Sequence, residues 1–178
     1  DRDHIWIAQG TYIRNTTNRN ITLGWTTDSI ELYGGFSGNG TETSISQRDW
    51  EANPTILSGD IGVGNDDSDN STTVFAGPIG ALNPTGKINY ALIDGIKITG
   101  GNANTGSYPS FDRCGGGVAL ASDVGSLRIR NVEIYDNFGD HGAGIWYNQS
   151  TNGEIFIENV SIHDNQGGTS PAFEFRNS

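Results

Sequence analysis

The sequence repeats itself near its C-terminal end, and this repeat limits the fold more than any other feature. The segment SLRIRNVEIYDNFGDHGAGIWYNQS at 126–150 is followed by EIFIENVSIHDNQGGTSPAFEFRNS at 154–178. Equivalent residues lie 28 positions apart, as for Ile129 and Ile157. A period between roughly 20 and 50 residues is typical of proteins whose structural repeats stack on one another.

Each copy of the repeat contains short runs in which apolar and polar residues alternate. Leu127 and Ile129 form one such run, and Val132 and Ile134 form the next. Alternation of this kind predicts half-buried strands. The three-residue step between the two runs predicts a bend at Arg130–Asn131. We therefore expect each copy to form one coil of a solenoid, with the next coil stacked on it in parallel register.

An earlier coil has the same pattern, interrupted by an insertion. Ile93 matches Ile129 at a distance of 36 residues, whereas Leu120 matches Tyr147 at a distance of 27. The difference predicts an inserted loop at Gly101–Gly115. Short apolar runs continue towards the N-terminus, so the chain as a whole predicts one domain of about five coils.

Identical residues at equivalent positions predict columns inside the solenoid. Two isoleucine columns are expected in the core: Ile93–Ile129–Ile157 and Ile98–Ile134–Ile162. Asn137 and Asn165, with Asn102 in the earlier coil, predict a ladder of stacked amides. Asn131 and Asn159 predict a second ladder at the bend.

Two further local features follow from spacing and composition. Arg130 lies one coil from Glu158, which predicts an exposed salt bridge worth less than ~1 kcal/mol. A helix of up to 11 residues fits Glu42–Ala52, limited by Pro54. The 26 glycines among 178 residues suit a chain of tight turns, because glycine tolerates positive φ.

Four aromatic residues have the parity of outward-facing strand positions: Trp6, Tyr33, Tyr135 and Trp146. Exposed aromatic rows can bind carbohydrate, and single outward aromatics can instead pack beneath loops. The equivalents of Trp146 in neighbouring coils are Ala119 and Glu174, so no aromatic row forms. Packing beneath loops such as 101–115 is the favoured interpretation.

Longer runs of the sequence carry a family resemblance. They are IWIAQGTY, IELYGGFSGNGTETSISQRDW, NPTILSGDI, ALIDGIKITGGNAN and GGGVAL, and they cover nearly the whole chain. These runs resemble secreted right-handed parallel β-helix proteins, the adhesin-like, polymorphic outer membrane protein-type repeats of bacterial surfaces. The resemblance implies an all-β, right-handed parallel β-helix and a secreted or cell-surface location. It implies no particular catalytic activity.

Strand-like runs reach both ends of the sequence, which contains no Met and no recognisable signal peptide. The open ends of a solenoid carry unpaired backbone groups and an apolar cross-section unless they are capped. The sequence therefore predicts a single domain, 1–178, that is either a piece of a longer or processed protein or a self-assembling subunit. In a subunit, Phe173 and Phe175 would pack on the coil of Ile5 and Ile7 of the next copy, giving a filament.

Charge and cysteine content restrict the partners. The net charge is −11 and the chain has no basic stripe, which argues against nucleic acid and anionic membranes. No apolar stretch is long enough for membrane insertion. The expected partners are a second copy, other surface proteins or a polysaccharide. Cys114 is the only cysteine, so an internal disulfide is excluded and a buried free thiol is expected.

The sequence does not predict an enzyme. Asp140-His141-Gly142 and Arg128-Ile129-Arg130 resemble the His-Gly and Arg-x-Lys elements of polygalacturonases, but their order along the chain is reversed and the paired aspartates of that family are missing. The three histidines are scattered. Asp136 and Asp164 occupy equivalent turns, so the repeat explains them. The predicted function is an extracellular structural or adhesive module. The alternative is a β-helix that binds or degrades polysaccharide.

The acidic segment DIGVGNDDSDN at 60–70 is the candidate ion site. Asp60, Asn65, Asp67 and Asp69 offer the oxygen ligands that Ca²⁺ prefers. The segment does not fit the EF-hand pattern, and the alternative is a solvated acidic loop. Calcium is the one cofactor that the sequence suggests.

Six N-x-S/T triplets are candidate glycosylation sites in an exported protein. Five are predicted to be acceptors: Asn15, Asn20, Asn39, Asn70 and Asn148. The sixth, at Asn159, falls on the repeated bend, where it is expected to be enclosed.

Overall fold

The structure is a computed structural model that describes residues 2–20, 23–24, 28–77, 88–107, 112–121, 124–149 and 153–177. Within these ranges the chain forms short β-strands and one 3₁₀ helix. The strands of its N-terminal half are β1 (Asp3–Ala8), β2 (Gly10–Ile13), β3 (Leu23–Gly24), β4 (Ile30–Phe36), β5 (Thr55–Ser58), β6 (Phe75–Gly77) and β7 (Ile88–Asp94). Those that follow are β8 (Ile96–Thr99), β9 (Asn102–Ala103), β10 (Val118–Ala121), β11 (Val124–Tyr135), β12 (Phe138–Gly139), β13 (Ile145–Gln149), β14 (Glu154–His163) and β15 (Phe173–Asn177).

The strands form three faces around one core, and the strands within each face are parallel. The first face consists of β1, β4, β7 and the first halves of β11 and β14, and the second of β2, β5, β8 and the second halves of β11 and β14. The third face consists of β3, β6, β10, β13 and β15. Each face thus has five strands in the described part of the chain, and one passage around the faces makes one coil. The fold is a parallel β-helix, as the sequence predicts.

The register of the strands matches the predicted columns. Ile129 is paired with Ile93 on one side and with Ile157 on the other. Ile134 is paired in the same way with Ile98 and with the equivalent isoleucine of the last coil. Apolar side chains of successive coils therefore stack inside the solenoid. Ile157 is 48% exposed, whereas Ile129 is 1% exposed, because in this structure no further coil covers Ile157.

Residues with positive φ turn the chain at the same place in successive coils. Gly95, Asn131 and Asn159 have φ of 72°, 52° and 50°, a conformation that is open to glycine and tolerated by asparagine. Asn159 donates to Oδ1 of Asn131 (2.8 Å), and Asn131 donates to Oδ1 of Asp94 (2.8 Å). The amide ladder predicted at the bend is confirmed, and it ends on a buried carboxylate.

The second amide ladder is shorter than predicted. Asn137 donates to Oδ1 of Asn165 (2.9 Å) and accepts from the backbone N–H of Gly101 (2.9 Å). Asn102 is paired with Phe138, so the prediction that Asn102 belongs to this ladder is wrong. Gly101 occupies the equivalent position and offers only its backbone.

The loop between β4 and β5 contains a 3₁₀ helix at Ile45–Gln47. The helix considered at Glu42–Ala52 is therefore limited to these three residues. The side chain of Gln47 accepts from the backbone N–H of Ser44 (2.9 Å), which caps the first turn. The helix ends at once because Arg48 is extended, with φ −77° and ψ 149°.

This extended conformation brings Arg48 to Asp94, which is fully buried. Arg48 and Arg130 both contact Oδ2 of Asp94, at 2.7 and 2.5 Å. The predicted pair of Arg130 with Glu158 is wrong, because a buried carboxylate requires a counter-charge far more than an exposed one does. Arg48 also lies over the ring of Trp50, 4.9 Å from its centroid, so the loop is fastened to the solenoid.

The strand register confirms an insertion at Gly101–Gly115, because the offset falls from 36 at Ile98 to 27 at Val118; residues 108–111 of it lie outside the described part of the chain. Thr105 donates its backbone N–H to the carbonyl of Asp112 (2.8 Å), which closes the loop near its base. Cys114 then resumes the parallel pairing with His141. Burial raises the pKa of the Cys114 thiol to about 12, and the prediction of a buried free thiol is confirmed.

Candidate functional site

A groove runs along the corner that follows the second face of the solenoid. The turn residues Gly100, Asp136 and Asp164 have φ of 75°, 51° and 54° and recur at this corner in the last three coils. Aspartate tolerates this left-handed conformation better than most residues. The repeated turn therefore places two carboxylates in one column on the surface.

The groove has a volume of about 510 Å³ and crosses several coils. It is lined by Asp67, Asn70, Gly101, Asn102, Asn104, Asp136, Asn137, Phe138, Asp164 and Gln166. All but two of these residues have polar side chains. The size is within the range of roughly 300–1,000 Å³ that is usual for small-molecule sites.

One end of the groove holds two buried amide side chains. Asn70 is 3% exposed and Asn102 is 6% exposed. Asn70 donates to the Asp67 carboxylate (3.3 Å), and Asn102 donates to the Asp67 backbone carbonyl (2.5 Å). These bonds fix the orientation of both amides, since a flip would place oxygen against oxygen.

The Oδ1 atoms of Asn70 and Asn102 are buried and accept no hydrogen bond from the described residues. Leaving a buried acceptor unpaired costs about 1–3 kcal/mol, and such groups are rare in folded proteins. Arg19 holds the backbone here, donating to the carbonyl oxygens of Asn70 (2.6 Å) and Asn102 (3.0 Å). It does not reach the two amide oxygens, which belong to side chains that line the groove and have no donor among the described residues.

The rest of the groove is rich in acceptors and carries one aromatic ring. No lysine or arginine is among the residues that line it in the described part of the chain. Phe138 is 36% exposed and offers an apolar surface beside the polar atoms. This combination suits a ligand that has both hydroxyl groups and C–H faces.

The predicted ion site is divided between two places. Asp69 accepts from the backbone N–H of Val63 (2.8 Å), and Asp60 accepts from that of Asn65 (3.4 Å), so these carboxylates close the acidic loop. Asp67 lines the groove instead. No group of three or more acidic, histidine or cysteine side chains is placed to hold a metal among the described residues. Calcium binding remains a prediction.

The predicted glycosylation sites differ in accessibility. Asn15, Asn20 and Asn39 are exposed, whereas Asn70 is buried in the groove with its amide nitrogen bonded. Asn148 is half-buried, and Asn159, expected to be enclosed, is exposed but engaged in the ladder at the bend. The structure therefore gives Asn70 the poorest access of the five predicted acceptors.

The residues considered for catalysis lie outside the groove. Asp140 pairs with Arg113, and Nδ1 of His141 is 3.3 Å from the carboxylate of Glu174. Glu174 also contacts Arg176 at 2.6 Å. Asp140 and His141 thus contact other polar side chains and are not among the residues that line the groove.

Two of the outward aromatic residues pack beneath loops, as predicted. Trp146 is buried against Cys114 from the insertion, and Tyr33 is buried, with the guanidinium of Arg48 5.2 Å from its ring centroid. Trp6 remains partly exposed. The aromatic ring available in the groove, Phe138, has no special pattern in the sequence.

The predicted assembly residues lie on the two end coils of the structure. Ile5 is 45% exposed and Phe175 is 48% exposed, whereas Ile7 and Phe173 are partly buried. By register, Ile157 extends the column that Ile5 begins. Phe173 extends the column of Phe75, Val118 and Ile145. The assembly prediction is untested. In an in-register stack of two copies, the residues at the two ends of one column would contact each other.

Comparison with family models, with curated proteins and with solved structures finds no match for this chain. In the described part of the chain, no helix is long and apolar enough to span a membrane.

Proposed function

We propose that this chain is an extracellular adhesive module that binds a polysaccharide in the polar groove of its β-helix. The observation that carries the proposal is the pair of buried, unpaired amide oxygens on Asn70 and Asn102. Sugar hydroxyls are donors that would satisfy both, once the wall of the groove shifts to admit them. The extracellular location rests on the resemblance of the sequence runs to secreted β-helix repeats.

The groove is suited to a sugar chain in shape as well as in chemistry. It follows the axis of the solenoid, and its walls are repeated turns held by the Asn137–Asn165 ladder. A rigid site loses little conformational freedom when it binds, which favours affinity. Phe138 can stack on the C–H face of a sugar ring, while the polar side chains around it accept from the hydroxyls.

Binding without cleavage is the expected outcome. A glycosidase uses two carboxylates whose environments drive their pKa values apart. Asp136 and Asp164 occupy the same turn position in successive coils, so the repeat accounts for the presence of both carboxylates. The repeat therefore favours a surface that binds a ligand over a catalytic acid–base pair.

Affinity electrophoresis tests the proposal. The protein is run through gels that contain a panel of neutral and acidic polysaccharides, beside the variants Phe138→Ala and Phe156→Ala. Phe156 is a matched control, because it is an exposed ring on the first face of the last coil. We expect retardation of the wild type in at least one gel. Phe138→Ala should weaken it about tenfold through loss of ring stacking, and Phe156→Ala should not. Unretarded migration in every gel would refute the proposal.

Self-association is a second candidate property, favoured by the exposed apolar side chains of both end coils. In-register stacking of a second copy would cover Ile157 with the Ile5 column. Sedimentation velocity over a range of concentrations measures this, with Ile157→Asp as the disruptive variant. Val63→Asp, on a 66% exposed loop residue, is the control. A monomer at high concentration would rule this candidate out.

A further inference from the structure

We infer that the groove selects neutral, hydroxyl-rich glycans and rejects polymers of uronic acids. This inference rests on the proposed function, because it concerns the ligand class of the same groove. It follows from the balance of charge, donors and acceptors along the lining.

The charge of the lining is uniformly negative. Asp67, Asp136 and Asp164 face the groove, and the described lining contains no lysine or arginine. The whole chain carries −11, so its net charge adds to this negative field. A uronate placed in the groove would meet like charges at short range, where the Coulomb interaction is least screened.

The donors of the groove are too few for a carboxylate ligand. Its exposed amides are those of Asn104 and Gln166. Of the guanidinium groups near the groove, that of Arg19 already donates to Asn70, Asn102 and Asn104, and that of Arg14 donates to Ser71. A bound carboxylate needs donors, since it is an acceptor only when ionised.

A neutral sugar has the opposite requirements. Its hydroxyls donate, and the groove supplies acceptors at the amide oxygens of Asn70 and Asn102 and at the aspartates. Each hydroxyl can also accept, which uses the amide donors of Asn104 and Gln166. A neutral sugar can therefore use both the acceptors and the exposed donors of the groove.

The experiment compares a neutral polysaccharide with the uronic-acid polymer of the same sugar and linkage. Dissociation constants are measured by calorimetry in chelator and again in excess calcium. Wild-type protein in chelator should bind the neutral polymer at least tenfold more tightly than the acidic one.

The variant Asp136→Asn with Asp164→Asn tests the cause of the selectivity. Asparagine tolerates the positive φ of both positions, so the turns are kept. Loss of the two charges should strengthen binding of the acidic polymer about fivefold for each carboxylate at low ionic strength. The matched control, Glu154→Gln with Glu158→Gln, makes the same change in net charge on the exposed first face of β14 and should leave the selectivity unchanged.

Three results would overturn the inference. One is an acidic polymer that binds as tightly as the neutral one in chelator. Another is binding of the acidic polymer that depends on calcium, which would show a cation between ligand and aspartates. The third is equal selectivity in the two double variants. Absence of binding to every polysaccharide would instead refute the proposed function itself.

Discussion

Replacing Ile129 by alanine should destabilise the solenoid far more than the same change at Ile157. Both residues point inward and stand in one column, with Ile129 in the fourth coil and Ile157 in the fifth. Their exposures of 1% and 48% differ only because a further coil covers one and not the other. A comparison of the two variants therefore measures the effect of burial alone, because residue type and position within the coil are the same.

The magnitudes follow from these exposures. Loss of a fully buried isoleucine side chain costs about 2–5 kcal/mol, because the transfer free energy and the cavity both count. At Ile157 about half of the side chain is already in water and no closed cavity can form, so a cost of about 1 kcal/mol is expected. The loss of stability at Ile129 should therefore be at least twice the loss at Ile157.

Urea unfolding followed by circular dichroism measures both costs at one low protein concentration. A solenoid can unfold coil by coil, so the transition should also be followed by tryptophan fluorescence as a check on cooperativity. Equal losses of stability for the two variants in a monomeric sample would refute the reasoning. A loss at Ile157 that grows with protein concentration would show that a second copy covers this end.

Three further predictions concern ion pairs and metal. Arg48→Met should cost about 3 kcal/mol in urea unfolding, because Asp94 stays buried with one cation fewer; a cost below about 1 kcal/mol would contradict the buried-pair account. Hydrogen bonds with Asp164 and Glu133 raise the pKa of His163 above its usual 6.5, so this histidine stabilises the fold below pH 6.5 and the gain is lost as the pH rises through the raised pKa. An NMR titration should show the raised pKa, and Asp164→Asn should bring it back towards 6.5. If the acidic loop at 60–70 binds calcium, the melting temperature should rise in excess calcium relative to chelator, and an unchanged value would leave a solvated loop.

The repeat predicts the inner part of this structure well, because side chains in strands alternate with a fixed period and equivalent coils must fill the same cross-section. The columns of Ile129 and Ile134 and the ladder at Asn131 follow from that rule. Asn102 shows where the rule fails. The offset between the third and fourth coils stays at 36 through the second turn, so that Gly101, and not Asn102, matches Asn137.

The groove could not be predicted from the sequence, for a different reason. Asn70 belongs to a long loop between β5 and β6, and Asn102 belongs to the start of the later insertion. Contact between segments so distant in sequence depends on how the loop between β5 and β6 folds over the regular coils, and no local period encodes it. The sequence identifies Asn70 only as the first residue of a glycosylation triplet, and Asn102 only as a candidate member of the amide ladder.

The sequence runs that carry the family resemblance turn out to serve packing. A side chain at Gly35 would meet the backbone of Trp50 at 2.8 Å, and one at Gly59 would meet the carbonyl of Gly100 at 2.5 Å. Arg48 of the same runs neutralises a buried carboxylate. These residues are needed to pack loops against coils. Their presence therefore indicates the fold but does not identify the ligand. Chemistry specific to this chain must be sought where the coils leave polar atoms unpaired, and among the described residues the groove is such a place.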